Sequence, residues 1–74
     1  MPKISIAAAR VNAGLTQEQL AEKMGVSRQT VNDWEGGRRA MRTAYLFLFC
    51  NITGFSPDDI FVPEKSTKSE QAEV

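Results

Sequence analysis

Three side chains between residues 27 and 36 have the chemistry of base recognition. Arg28, Gln29 and Asn32 have the spacing of neighbours on one side of a helix. Arginine can pair with guanine O6 and N7 through two hydrogen bonds, and glutamine or asparagine can pair with adenine N6 and N7. Such residues on an exposed helix predict contact with base edges in the major groove of double-stranded DNA.

Asp33 is an unusual neighbour for these side chains, because phosphates repel a carboxylate. It could accept a hydrogen bond from cytosine N4, orient Arg28, or face solvent, and the last two alternatives are favoured. The predicted base-reading group is the exposed part of one helix: Arg28, Gln29, Thr30, Asn32 and Asp33.

Two short helices joined by a tight turn must position this group. The first is predicted over residues 16–24, the turn at Gly25 and Val26, and the second over residues 27–35. Trp34 lies one turn beyond Val31, which predicts packing rather than stacking on bases. The predicted interior is Leu15, Leu20, Ala21, Met24, Val26, Val31 and Trp34.

Capping signals predict five helices and no strand. Helix 1 is expected over residues 4–13, ended by Gly14, and helix 4 over residues 41–53. Thr16 and Gln19 form a capping box at helix 2, and Ser27 caps helix 3. Helix 5 is expected to begin after Ser56, with Pro57 first and two aspartates in its first turn.

The pattern resembles the lambda-repressor and Cro type of helix-turn-helix domain, the XRE family, over about residues 4–62. The matching features are Arg10, Gly14-Leu15-Thr16-Gln17, Leu20-Ala21, Gly25-Val26-Ser27, Val31, Trp34-Glu35 and Gly37. The resemblance implies an all-α, compact five-helix domain in residues 1–63. Helices 2 and 3 would form the helix-turn-helix, with helix 3 in the major groove.

The resemblance also implies contacts to the phosphate backbone. Gln17 opens helix 2, where backbone N–H groups can also meet an anion. Three arginines follow the recognition helix, although a solvated basic loop is an alternative for them. The predicted phosphate contacts are Gln17, Ser27, Arg38, Arg39 and Arg42. Gly36 replaces an asparagine common in relatives, so a side-chain contact there is missing.

Arg10 and Glu35 are implied to be a structural pair. In the family, an arginine late in helix 1 commonly pairs with the glutamate that ends the recognition helix. Such a pair would set the angle of helix 3, although a buried ion pair adds little net stability over apolar residues.

Helix 4 carries more apolar residues than one buried face needs. One stripe, Leu46, Phe49, Cys50 and Thr53, matches the core-facing positions. The remainder predicts a homodimer interface, because a helix that is apolar all round is normally buried. A second stripe holds Met41, Tyr45, Leu48 and Ile52, and Phe47 lies outside both stripes. The predicted interface is Tyr45, Phe47, Leu48 and Ile52. Burial under helix 5, through Ile60, Phe61 or Val62, is the alternative.

Composition argues against catalysis. The 74 residues include no histidine and one cysteine, Cys50, so Ser-His and Cys-His catalysis, an intramolecular disulfide and a cysteine zinc site are excluded. Asp58 and Asp59 are expected to serve a helix terminus. We therefore expect no enzyme, no metal, no cofactor and no small-molecule ligand. No membrane span or signal pattern is evident, and a cytoplasmic, nucleoid-associated protein is expected.

The net charge of zero conceals an uneven distribution. Residues 1–44 carry seven basic and four acidic side chains, whereas residues 45–74 carry two basic and five acidic. The basic part therefore coincides with the predicted DNA-reading part. Residues 64–74 are polar without an apolar period, which predicts a disordered tail.

The expected function is sequence-specific binding of double-stranded DNA by a transcriptional regulator. A small phage- or prophage-type or bacterial repressor that reads an inverted repeat as a homodimer is preferred, because no second domain is evident. The alternatives are a Cro-like switch, an antitoxin, a restriction-modification controller, or a helix-turn-helix module that binds a protein.

Overall fold

The computed structural model describes residues 3–62, so the predicted disordered segment 64–74 lies outside the described residues. Four α-helices occupy the centre of this range, with a two-residue strand at each end. In chain order the elements are β1 Ile4–Ser5, α1 Ile6–Asn12, α2 Gln17–Met24, α3 Arg28–Gly36, α4 Thr43–Thr53, a 3-10 helix Pro57–Asp59, and β2 Ile60–Phe61.

The first helix begins two residues later than predicted. Ser5 is its N-cap, and the Ser5 hydroxyl accepts a hydrogen bond of 2.9 Å from the backbone N–H of Ala8. An N-cap residue has extended backbone, so Ile4 lies outside the helix and is free to form a strand. The prediction from residue 4 overlooked this serine.

The predictions of a fifth α-helix and of no strand are wrong. Ser56 caps as predicted, but only the 3-10 helix Pro57–Asp59 follows. Ile60 then has extended backbone and pairs with Ile4 in a parallel two-stranded sheet, with Phe61 opposite Ser5. The side chain of Ile60 is 2% exposed. Burial of this β-branched residue beside β1 favours a strand at Ile60. The helix that begins after Ser56 therefore ends at Asp59, after a single 3-10 turn.

The core lies between the helices and under β2. Its largest fully buried side chains are Trp34, Phe49, Leu20, Ile60 and Val31. The predicted interior of the two helices is confirmed, with Leu15 and Val26 partly buried at its margin. Most of the fold therefore serves to fix α2 and α3 against α1 and α4.

The apolar faces of α4 differ from the two predicted stripes. Phe49 and Cys50 are buried as expected, but Met41 is also buried, in the loop before the helix. Ile52 is half-buried against the core. Both residues were predicted to lie on the second apolar stripe, outside the core of the domain. The helix begins at Thr43 rather than residue 41, so Met41 turns inward from the preceding loop.

Candidate nucleic-acid interface

Side-chain caps begin both α2 and α3, and one glycine turns the chain between the two helices. The Thr16 hydroxyl accepts from the N–H of Gln19, and the Gln19 side chain accepts from the N–H of Thr16, at 3.0 and 2.9 Å. The Ser27 hydroxyl accepts from the N–H of Thr30. Gly25 has φ +72°, a left-handed conformation that glycine adopts without steric cost. These local contacts set where each helix starts and stops.

Arg10 on α1 is joined to Glu35 on α3. The distance from Arg10 Nε to Glu35 Oε2 is 2.6 Å, and the two side chains are 15% and 9% exposed. A second guanidinium nitrogen donates to the backbone carbonyl of Leu15 at 2.8 Å. One arginine thus links α1, the loop before α2, and the last turn of α3.

Gln17, predicted to contact phosphate, is the first residue of α2, and its side chain reaches across to α3. Its amide nitrogen donates to Glu35 Oε1 at 2.9 Å and to Asn32 Oδ1 at 3.3 Å. Both amide hydrogens are therefore engaged within the protein. A phosphate contact through this amide would require Gln17 to release one of these acceptors, and its phosphate role stays a prediction.

Asp33 accepts two hydrogen bonds on the surface of α3. Gln29 Nε2 lies 2.9 Å from Asp33 Oδ1, and Arg38 Nε lies 3.1 Å from the same oxygen. These two donors, Gln29 first, hold the pKa of the Asp33 carboxyl below its ordinary value. Asp33 does not orient Arg28, because its hydrogen-bond partners on the surface of α3 are Gln29 and Arg38.

Arg38 folds back along the end of α3 instead of extending into solvent. Besides Asp33, it donates to the backbone carbonyl of Asn32 at 3.2 Å. A Cβ added to Gly36 would lie 2.9 Å from Arg38 Cζ, closer than real Cβ contacts allow. The glycine at position 36 thus leaves room for this guanidinium. Arg38 neutralises Asp33 in this conformation, and a phosphate contact would compete with that pair.

The other predicted contact residues lie around the start and end of α3. Arg28, Gln29, Arg39 and Arg42 are exposed. Thr30 is half-buried, with its hydroxyl 3.0 Å from that of Ser27. Within residues 3–62, no hydrogen bond engages the guanidinium of Arg28. Arg28 and Gln29 therefore form the accessible N-terminal end of the helix.

Three of the four predicted dimer-interface residues are exposed. Phe47 is 58% exposed, and Tyr45 and Leu48 are each 37% exposed. The Tyr45 ring packs beside Trp34, with ring centroids 5.3 Å apart. Ile52 contributes mainly to the core, as described above. An apolar patch of Tyr45, Phe47 and Leu48, here called the α4 patch, remains on the surface.

Reactive groups do not assemble in the described part of the chain. Cys50 is buried as predicted, and desolvation, followed by the charge of Asp59, raises the pKa of its thiol. Within residues 3–62, no cluster of histidine, cysteine, aspartate or glutamate could hold a metal ion. In the same range, every helix is too short or too polar to cross a membrane.

Sequence reasoning missed the contacts that connect the reading residues to each other. Gln29 and Asp33 have i, i+4 spacing, which is a recognisable signal for an amide–carboxylate hydrogen bond. The contacts of Gln17 with Asn32 and Glu35 cross between helices, and no local pattern announces them. The resemblance had placed Gln17 toward DNA instead.

Comparison with known proteins agrees with this geometry. Residues 6–60 match the family described as helix-turn-helix. An uncharacterised HTH-type transcriptional regulator of Methanocaldococcus jannaschii is 42% identical over 50 residues, which are 68% of this chain and 76% of that protein. A hypothetical transcription factor from Neisseria has a similar fold, with a TM-score of 0.69 and 23% identity, over 89% of this chain and 74% of that one.

Proposed function

Because the chain belongs to the helix-turn-helix family, we propose that it is a transcriptional regulator that binds double-stranded DNA and reads an operator with α3. The observation that carries this proposal is the accessible start of α3, where Arg28 and Gln29 are exposed beside a turn stabilised by the Ser27 cap. In helix-turn-helix proteins this end of the second helix points toward base edges.

Base recognition is assigned to four polar side chains of α3, of which Arg28 and Gln29 are exposed and Thr30 and Asn32 are half-buried. Arg28 suits guanine O6 and N7, and Gln29 suits adenine N6 and N7. Asn32, one turn later, is the third reader, and Thr30 completes the surface. The link from Arg10 through Glu35 to Gln17 and Asn32 holds the helix at a defined angle. A preorganised reading surface spends less free energy on ordering when it binds.

Phosphate contacts are assigned to the exposed basic residues that flank α3. Arg39 and Arg42 follow the helix and are exposed. Ser27 and the N-terminus of α2 offer hydrogen-bond donors on the other side. Phosphate contacts contribute affinity for every sequence and position the protein, whereas base contacts discriminate.

A homodimer is the favoured assembly, with the α4 patch as the shared surface. Phe47 is too exposed for a residue that serves only the core, and a second copy would cover it symmetrically. Two recognition helices would then lie about 34–36 Å apart along one face of the DNA. The operator would be an inverted repeat, and the protein would act as a small repressor on the nucleoid in the cytoplasm.

A module that binds only proteins is the second candidate from a different class. An acidic or apolar α3 surface would favour it, whereas the exposed Arg28 and Gln29 favour DNA. An antitoxin or a restriction-modification controller would read DNA through the same surface. These two alternatives therefore differ from a repressor in the genes they regulate and not in how they bind DNA.

Selection from a randomised duplex library tests the proposal. The wild type should enrich a defined site. Arg28→Ala or Gln29→Ala should weaken binding to that site by about 1–3 kcal/mol and flatten the preference at one base pair. Arg39→Ala should weaken binding to all DNA sequences and lower the salt dependence of that binding. Asn51→Ala, an exposed amide on α4, is the matched control and should bind normally. A folded protein that enriches no site would contradict the proposal.

A further inference from the structure

The two amide side chains assigned to base reading are both hydrogen-bonded within the free protein. Gln29 donates to Asp33, and Asn32 accepts from Gln17. An amide side chain has a donor end and an acceptor end, and rotation by half a turn exchanges them. Which end faces DNA therefore decides which base atoms it can meet.

Carboxylates determine how these amide groups are oriented, because an ionised carboxylate can accept hydrogen bonds but cannot donate them. Asp33 Oδ1 lies 2.9 Å from the Gln29 amide, so the NH₂ end of that amide must face Asp33. The reverse orientation would place two acceptors against each other. An aspartate is ionised at neutral pH even at its ordinary pKa, and the pKa of Asp33 is lowered further.

The same reasoning passes through Gln17 to Asn32. Glu35 Oε1 lies 2.9 Å from the Gln17 amide, which therefore turns its NH₂ end toward α3. The Asn32 atom 3.3 Å from this NH₂ must then be its oxygen. Glu35 is itself held by Arg10 at 2.6 Å, so this orientation is anchored to α1.

We propose that Asp33 and Gln17 are specificity-determining positioning residues that fix which end of Gln29 and of Asn32 faces the base pairs. This inference depends on the proposed function. Gln29 keeps its oxygen and one N–H free, which is the pair that adenine N6 and N7 require. Asn32 has its oxygen engaged and keeps its NH₂, which suits acceptor atoms such as guanine O6 or N7 and thymine O4.

The test uses the site that the wild type selects, with each base pair varied in turn. Gln29→Ala and Asn32→Ala first identify the base pair that each amide reads. At the Gln29 position the wild type should prefer adenine by about 10-fold or more, within the range of one bidentate contact. Asp33→Ala should reduce that preference to under about 3-fold and leave the Asn32 position unchanged.

Gln17→Met should have the converse effect, because it removes the amide and retains the side-chain length. The preference for an acceptor at the Asn32 position should fall, while the Gln29 position keeps adenine. Arg38→Ala is the matched control for Asp33. It removes the other partner of the carboxylate and leaves the Gln29 contact in place, so the adenine preference should persist.

The outcomes separate this inference from the proposed function. If the wild type selects no site, the proposed function fails. If it selects a site but Asp33→Ala and Gln17→Met weaken every sequence equally, the two residues are only structural and this inference is overturned. A base other than adenine at the Gln29 position would overturn it as well.

Discussion

Arg10 Nε and Glu35 Oε2 are 2.6 Å apart, and this contact joins the first helix to the last turn of the recognition helix. Glu35 Oε1 also accepts from Gln17. The carboxylate therefore sets both the angle of α3 and the orientation of an amide beside the reading surface. Removing either partner leaves the other charge largely buried and unpaired. This lowers the stability of the fold by more than the intact pair contributes to it.

Glu35→Ala should lower the free energy of unfolding by about 3 kcal/mol, the low end for breaking a buried pair. Arg10→Met should also destabilise. The double variant Arg10→Met with Glu35→Leu should lose less than the two single losses together, with an interaction free energy of about 1–3 kcal/mol. Urea denaturation of the four proteins measures this cycle. Strict additivity would show that the two residues do not interact energetically.

Gly36→Ala should stabilise the protein by about 0.5–1 kcal/mol, because alanine is the better residue inside a helix. The new methyl group displaces only the end of the flexible Arg38 side chain, whose exposed ion pair contributes little. For a domain of this size, the melting temperature should rise by about 2–8 °C.

Gly37→Ala is the matched control for that substitution. Gly37 ends α3 with φ +77°, where a side chain costs about 1–2 kcal/mol. Its melting temperature should fall. If both substitutions lowered the melting temperature, the contacts that Arg38 makes beside Gly36 would contribute more stability than an exposed ion pair does.

The contribution of Asp33 to stability should vanish in acid. Its pKa is lowered in the folded protein by Gln29 and Arg38, so its contribution is present above the ordinary aspartate range and is lost as the pH falls through the folded pKa. The stability difference between wild type and Asp33→Asn should be level above about pH 5 and shrink below about pH 4. Thermal melts across this range measure it, and a constant difference at all pH values would contradict the assignment.

Cys50 should react slowly with thiol reagents at pH 8. It is 6% exposed, and desolvation raises the pKa of its thiol, so little reactive thiolate is present. Asn51→Cys in a Cys50→Ala background places a thiol on the neighbouring exposed position and should react quickly. If the two folded proteins were labelled at equal rates, Cys50 on α4 would not be buried as described.

The α4 patch should control assembly. Sedimentation of the wild type at tens of micromolar should give a dimer, and Phe47→Glu or Leu48→Glu should give a monomer, because a charge cannot be buried in an apolar interface without a partner. Asn12→Glu adds the same charge at an exposed polar position on α1, outside the α4 patch, and should remain dimeric. A monomeric wild type, both free and on DNA, would exclude the dimer.

Local signals in the sequence predicted the helix-turn-helix well. The Thr16 and Ser27 caps, the glycine turn and the apolar spacing each act within one turn of helix, so neighbouring residues suffice to recognise them. The boundaries of α2 and α3 were accordingly close to those observed.

Features that depend on distant residues were predicted less well. Ile60 forms a strand only because Ile4 lies beside it, and no local property of residues 57–61 distinguishes that from a helix. Met41 is buried because the loop before α4 turns inward. The partners of Gln17 likewise depend on how α2 and α3 cross, which side-chain types alone do not specify.

The parallel pairing of Ile4 with Ile60 has a consequence for how the protein folds. It is a contact between the two ends of the described chain, so its formation closes a loop that contains all four α-helices. A contact of such long sequence separation carries a large entropic cost and becomes favourable only when the intervening helices have packed. The sheet can therefore open locally while the helices stay packed, so its amide hydrogens should exchange with solvent before those of the buried helices. A fragment that ends before Ile60 lacks a buried core side chain and should be less stable.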